Sequence, residues 1–470
     1  MNTTVPPSET RALLRLSAPL VVAQLAQMAM GVAGTLVAGQ LGVRALAAQA
    51  LGATTFTFVL ITGYGLMAGL DPHISRFVGA GRPDEAGRLL RQGLWLAVLA
   101  GLPLTGLLLA AGPILRAMGQ DPALMDIAES YLRWSAVGLI PALWFCAYRS
   151  FASAANKPRI IMASAVLANI VHVGLCVWLA YGGAGVPALG VAGIGLASVL
   201  CRLLLVAMLA LYCRHSTAFA SFRGRLELPR LDLLMPLLRS GLPLGLQYGL
   251  EVTGFVLVTL WMGLLGADVL AAHEVALSAT ALAFQVPFAI GTAAAMRVGH
   301  AIGRGDEPGV ARAGWTALRV GVLYAVTSAI AMVLLREWIA LRYMPTATPP
   351  VLEMAKGFLA IGACFQLADG AQAIGFGVLR GLDDTRVPVL FNVLGFALLG
   401  LPLGYVGVFV LHLSPAWMWY GLTLALFVVA SLLALRFRSL VLTRRGRLQT
   451  EPTRVRLAST LKDSLAPALD

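Results

Sequence analysis

The stretch LLRLSAPL at residues 13–20 returns as LLRSGLPL at residues 237–244, an offset of 224. At the same offset LGVRALAA (41–48) returns as LGADVLAA (265–272), and after a slip of two residues GRPDEAG (81–87) matches GRGDEPG (303–309). One unit has been duplicated. If each copy holds six membrane spans, an even number, both copies enter the membrane from the same side, and an axis along the membrane normal relates them. Two such bundles face each other across a central cleft.

Composition supports the spans: 59% of residues are hydrophobic, 12% are charged and the mean hydropathy is +0.82. A bilayer core about 30 Å thick takes roughly 20 apolar helical residues. Runs of that kind fall near 12–39, 46–75, 92–115, 130–155, 160–181 and 189–213, then near 237–265, 269–296, 314–335, 351–379, 388–411 and 416–437. The expectation is an all-α integral membrane protein with twelve transmembrane helices in two pseudo-symmetric six-helix bundles. Its parts are an N-terminal lobe (1–213), a basic linker (214–236), a C-terminal lobe (237–438) and a tail (439–470). The first run is too long for a signal-peptide core and lacks a convincing cleavage site, so it reads as a retained span. Five cysteines, Cys146, Cys176, Cys201, Cys213 and Cys364, show no C-x-x-C spacing and read as small packing residues.

Charge sets the orientation. One set of alternate loops carries Arg76, Arg82, Arg88 and Arg91, then Arg149, Lys157 and Arg159, then Arg214, Arg223, Arg225 and Arg230. The same side takes Arg304, Arg312, Arg380, Arg386 and an Arg-rich tail, against little more than Arg44, Arg116, Arg336 and Arg342 opposite. By the positive-inside rule both termini are cytoplasmic. The net charge of +13 is dispersed rather than gathered on one face, which favours lipid headgroups over nucleic acid as partner.

FQLADGAQAIG (365–375) and LQYGLEVTGFV (246–256) each set one carboxylate in an apolar run. Asp369 precedes Arg380 by eleven residues and Glu251 follows Arg239 by twelve, placing both roughly 16 to 18 Å from the basic surface. A charge at that depth costs about 2.5 to 3.5 kcal/mol and marks a functional residue by default. Neither acid has a basic residue within a helical turn on its own span, and desolvation together with a second carboxylate works against ionisation. Such a pair exchanges protons or holds a cation. At the repeat offset Glu251 corresponds to Gln27, and with Pro158 matched to Pro388, Asp369 corresponds to Leu139, so the acidic site belongs to the C-terminal lobe. Tyr248 and Phe255 flank Glu251, and Phe365, Gln366, Gln372 and Phe376 flank Asp369, which suits an apolar or aromatic substrate. Asp71-Pro72-His73 reads as water-accessible, His172 as a hydrogen-bonded filler, and Glu274 as a helix-start acid near the outer end. The mid-membrane charges that can be placed are acidic. GYGLMAG (63–69) and GVAGIG (190–195) lie inside spans with no preceding strand, so they read as close-packing motifs rather than nucleotide fingerprints, and no Walker loop supports ATP-driven transport.

Several stretches together resemble the multidrug and toxic compound extrusion (MATE) family, in particular its NorM branch: LAQMAMGVAGTLVAGQLG, GAGRPDEAGR, LGVAGIGLAS, LEVTGF, LAAHEVALS, MRVGHAIGRGD and VLRGLDDTRVP. The similarity runs from about residue 12 to 438. It implies twelve helices in two alternating-access lobes that expel cationic amphipathic compounds in exchange for Na⁺ or H⁺. It also implies cation coupling at Glu251 and Asp369. Two positions depart from the pattern: Gly34 stands where the family usually has an acid, and Glu274 where an amide is common, which would add an accessory acid.

The expected function is therefore a secondary antiporter of the bacterial inner membrane, not an enzyme, working as a monomer without a cofactor beyond its coupling ion. Na⁺ or H⁺ would bind at Glu251 and Asp369, with Tyr248, Phe255, Phe365 and Gln372 toward the substrate. The alternatives are a flippase for a lipid-linked precursor and, from another class, an intramembrane enzyme or scaffold. An aspartyl protease would need Y-D and G-x-G-D contexts that LADGAQ does not offer. Topology is directly testable: an impermeant thiol reagent added outside should label cysteines placed in 181–188 and 266–268 but none in 214–230. The reverse pattern would invert the orientation.

Overall fold

The computed structural model describes residues 8–117, 121–183, 185–225 and 227–465; residues 1–7, 118–120, 184, 226 and 466–470 of the expected lobes, linker and tail lie outside it. Among the described residues the chain is helical, with an isolated bridge between Gly183 and Val186 as the extended pairing. The helices of the first lobe are α1 (Glu9–Leu41), α2 (Val43–Met67), α3 (Leu70–Gly79), α4 (Pro83–Ala117), α5 (Pro122–Val137), α6 (Leu139–Ala154), α7 (Pro158–Tyr181) and α8 (Val191–His215). The second lobe comprises α9 (Leu231–Leu264), α10 (Ala267–Gly303), α11 (Glu307–Tyr343), α12 (Pro349–Gly381), α13 (Arg386–Asn392), α14 (Leu401–Tyr405) and α15 (Ala416–Leu465).

Among the described residues, eleven segments are long and apolar enough to cross a membrane. The expected fourth crossing is instead two 16-residue helices, α5 and α6, meeting at Gly138. Proline accounts for the break: Pro141 has no N–H to offer the carbonyl of Val137, where α5 ends. Pro72 stands in the same relation to Ala68 and separates α2 from α3 within one 37-residue crossing. In the crossing over Arg386–Val410, π-helical turns occupy Val393–Gly400 and Val406–Val410. These wide turns seat Gly400 against Gly421 and Gly404 against Met418 of α15, and bring Phe396 to the ring of Phe255. Caps finish exposed starts: Asp121 accepts from the Ala123 N–H at 3.0 Å and Asp306 from the Gly309 N–H at 2.8 Å.

The linker is shorter than expected, because α8 runs to His215 and α9 begins at Leu231. It is also fastened to the first lobe. Phe219 and Phe222 stack on Phe151 at 5.2 and 5.1 Å, and Glu227 pairs with Arg88 at 2.7 Å, which holds its carboxyl below the usual carboxylate range. Trp95 donates to the Glu227 carbonyl at 2.8 Å, and Gln92 grips both the Leu228 carbonyl and the Arg230 N–H.

The lobes meet through glycine. A methyl group at Gly65 would collide with the Leu244 carbonyl, one at Gly241 with the Leu66 carbonyl, and one at Gly303 with the Arg76 carbonyl. With no water to expel between membrane helices, such backbone approach is what allows dispersion to hold them together. The GYGLMAG motif thus serves the interface between lobes, while Gly193 of GVAGIG packs on the Leu179 carbonyl inside the first lobe. Polar contacts follow the same line: Arg297 and Glu9 form a two-pronged pair at 2.7 and 2.8 Å, and His300 meets the Ala154 carbonyl at 2.7 Å. His73 reaches Ser240 at 3.0 Å, and Ser240 donates to Asp383 at 2.7 Å.

All of these contacts lie toward the end that carries the basic loops. The outermost is Gly249, where an added Cβ would sit 3.1 Å from Thr62 Oγ1; both residues are near the midpoint of their crossings. From there to the other end, no hydrogen bond or ion pair joins the two lobes among the described residues. Polar contacts between the lobes are thus confined to the basic half of the interface, as a cleft that opens at the opposite end requires. The spacing at Thr62 and Gly249 suits a disulfide. In a background with Cys364 replaced by Ser, Thr62→Cys with Gly249→Cys should cross-link under mild oxidation and stop transport, and reduction should restore it. Efflux that persists in the cross-linked protein would show that the lobes need not part here.

Candidate functional site

The apex of the cleft is where the chain gathers its buried polar residues. Glu251 lies two residues past Gly249 on α9, and its Oε1 accepts from Gln372 Nε2 of α12 at 3.3 Å. Asp369, 6% exposed, is three residues earlier on α12, on the same helix face as Gln372. The two acids matched by depth in the sequence are thus brought together. Gln372 Oε1, its amide nitrogen spent on Glu251, is enclosed without a partner. An oxygen in that position beside two carboxylates is suited to a cation. No group of three His, Cys, Asp or Glu side chains assembles among the described residues, so any ion here would rely on amide and carbonyl oxygens as well.

A second network joins the lobes just beneath. Asp71 is not water-accessible as expected from its position: it is 3% exposed, because α3 is packed against α10 of the other lobe, with Ser75 against Gly299 and Gly79 against the His300 backbone. Its carboxylate accepts from Ser150 Oγ at 2.6 Å and pairs with Arg380 Nη2 of the other lobe at 3.4 Å. Arg380, 5% exposed, donates from Nη1 to Tyr248 Oη at 3.2 Å. Tyr248 is one turn before Glu251. An unbroken path therefore runs from Asp71 through Arg380 and Tyr248 to the helix face that carries Glu251.

The remaining expected residues separate. Phe255 and Phe365 pack edge to face at 6.1 Å, with Phe365 buried against Trp419 at 5.5 Å in the core of the second lobe. Glu274 is exposed and lies two turns into α10, where the first-turn acid is Asp268, so the helix-start reading fails. It shares a helix face with Ala289 and Thr292, which line a small void with Leu20, Gln24, Gln27 and Arg149 of the first lobe. His172 is the expected filler, bonded to Ser198 at 3.2 Å. Four cysteines are buried as expected, whereas Cys364 is exposed. Gly34 faces Ile194 and the Gln49 amide inside the first lobe. The expectation that mid-membrane charges are acidic does not hold: Arg202 stands at the middle of α8, and Arg149 and Arg380 reach the apex. Loop counting passed over the first and assigned the other two to the surface.

The MatE family profile matches residues 19–178 and again 243–406, two copies whose starts differ by 224 residues (243 minus 19). The chain belongs to the MatE family. The duplication seen in LLRLSAPL and LLRSGLPL is the MatE unit itself. Among curated relatives, a "Probable multidrug resistance protein NorM" of Mesorhizobium japonicum is 39% identical, covering 91% of this chain and 93% of that protein. One of the same name from Bradyrhizobium diazoefficiens is 38% identical, over 91% of this chain and 92% of its own. The MatE fold is equally plain in solved structures. The eukaryotic MATE transporter AtDTX14 superposes with a TM-score of 0.84 at 21% identity, over 93% of this chain and 98% of that one. The "outward-facing conformation of a multidrug resistance MATE family transporter" gives 0.84 at 19%, over 94% and 99%.

The Asp71–Arg380 pair makes a stability prediction. Removing one partner strands a buried charge, so Asp71→Asn or Arg380→Gln should each destabilise the detergent-purified protein by about 3 to 5 kcal/mol. The double substitution should lose less than the sum of the two. Thermal unfolding of the four proteins measures this coupling, and additive losses would mean the pair is not an energetic unit.

Proposed function

We propose that this MatE protein exports organic cations and other amphipathic drugs across the bacterial inner membrane in exchange for Na⁺ or H⁺. The observation that carries this reading is the placement of Glu251 and Asp369 together at the apex of a cleft, on one lobe only, beside the unpartnered Gln372 oxygen. The relatives' names, which speak of multidrug resistance, support the export half of it. The basic loops put the closed end in the cytoplasm and both termini inside. The cleft then opens outward.

In this cycle a cation arrives from outside through the open half and occupies the two carboxylates. Its charge weakens the hold of the same site on an organic cation, which leaves to the outside. The lobes then part at their glycine contacts, and a substrate molecule entering from the cytoplasm displaces the ion. Competition of this kind is reciprocal by thermodynamic necessity: whatever factor the ion takes from substrate affinity, the substrate takes from ion affinity. Na⁺ would draw on both carboxylates, the Gln372 oxygen and backbone or water oxygens. A proton needs only a carboxylate whose neutral form burial favours.

Glu251→Gln and Asp369→Asn keep side-chain volume and remove the ionisable group. Each should reduce ion-driven efflux of a fluorescent cation in proteoliposomes to the level of protein-free vesicles, with normal insertion. Separately imposed Na⁺ and H⁺ gradients identify the ion. Wild-type efflux in either variant would remove that residue from the coupling site.

A further inference from the structure

The first lobe holds a charge without a counterpart. Arg202 is the twelfth residue of the 25-residue α8, roughly 16 Å from its outer end. Its guanidinium lies 4.2 Å over the ring of Phe56, and its Nη1 is enclosed with no hydrogen-bond partner. The groups that act on it electrostatically are Tyr131, Tyr64 and Cys201, none of them a carboxylate. Of the first lobe's acids, Asp71 is committed to Arg380 and Ser150, Glu129 and Asp126 to Arg116, Glu9 to Arg297 and Glu85 to Arg82.

A stack on one aromatic ring is worth about 0.5 to 2 kcal/mol, less than the cost of an uncompensated charge at this depth. The surroundings are built to receive an anion. Ser135, one turn after Tyr131, is fully buried, and its hydroxyl has no neighbour to bond other than the Tyr131 phenol. Gly138, at the break between α5 and α6, leaves room for Nη1: a Cβ there would sit 2.8 Å from that nitrogen. Nε and Nη2 make no hydrogen bond to the described residues, and with Nη1 they form the fork that takes a carboxylate in two parallel hydrogen bonds.

We propose that Arg202, with Ser135 beside it, binds a carboxylate inside the first lobe. The carboxylate comes either from a zwitterionic substrate or from a small free acid. The substrate arm rests on the export reading above, but binding is measured without any gradient, so failure of coupling at Glu251 and Asp369 leaves it intact.

The test uses the purified full-length protein and two dyes, a rhodamine with a free carboxylate and its ethyl ester, with acetate as the free acid. Wild-type protein should bind the acid more tightly than the ester by fluorescence anisotropy. Arg202→Gln should weaken the acid by about tenfold or more and leave the ester unchanged, which identifies a substrate carboxylate. If the dyes do not separate but acetate at constant ionic strength raises the melting temperature of wild type and not of Arg202→Gln, the occupant is a small free acid. Arg202→Lys keeps the charge and loses the fork, and serves in both measurements should Arg202→Gln not accumulate. Ser135→Ala should give a smaller effect of the same sign. Equal response of wild type and variant to acid, ester and acetate, including no binding of any of them, overturns the proposal and leaves Arg202 as a clamp on the α5–α6 break.

Discussion

Two lobes held together inside a membrane cannot rely on expelling water, and here close backbone contact along one half of the interface takes its place. Gly65, Gly241 and Gly303 bring carbonyls of one lobe against Cα atoms of the other. At the top of that seam the buried Asp71–Arg380 pair crosses between lobes. Dispersion between backbones is short-ranged, so the seam has no intermediate, loosely packed form. A buried ion pair behaves alike, since separating its members exposes each to an apolar medium unless water enters. Both favour two discrete arrangements, closed or parted, over a continuum, which is what alternating access requires.

Much of this architecture was legible in the amino-acid sequence because its causes are local. A bilayer fixes span length, a duplicated unit repeats its own words, and positively charged loops report orientation. Glu251 and Asp369 could be paired from depth alone, because a helix converts residue count into distance. What escaped was set by geometry between helices. Asp71 read as a surface acid, for nothing in Asp71-Pro72-His73 reveals that α3, past the Pro72 break, packs against α10 of the other lobe. The break at Gly138 follows from Pro141 but lay within a run apolar enough to pass as one helix. Arg202 was lost for the opposite reason: a window average over 25 apolar residues absorbs one guanidinium without leaving a mark.

Duplication has been followed by divergence in charge. Gln27 and Glu251 occupy equivalent positions near the apex, one neutral and one acidic, while the first lobe keeps a mid-span guanidinium and the second two mid-span carboxylates. The fold tolerates this because, beside a large buried cluster shared by both lobes, each lobe has a smaller cluster of its own: the aromatic group of Phe255, Phe365, Phe396 and Trp419 belongs to the second lobe alone. Symmetric scaffolding and asymmetric polarity are thus independent.

The linker's attachment has a mechanical meaning. Phe219, Phe222, Glu227 and the Arg230 N–H are all fastened to the first lobe, so the chain has no slack until α9 begins at Leu231. The covalent pivot between lobes is then a single junction at the foot of a 34-residue helix, a lever about 50 Å long. Swinging it by about 10° carries its far end through about 9 Å while its foot stays nearly still. A molecule built this way can change the width of its outer mouth a great deal with little strain at the joint, and the gearing is supplied by where the tether is tied rather than by its length.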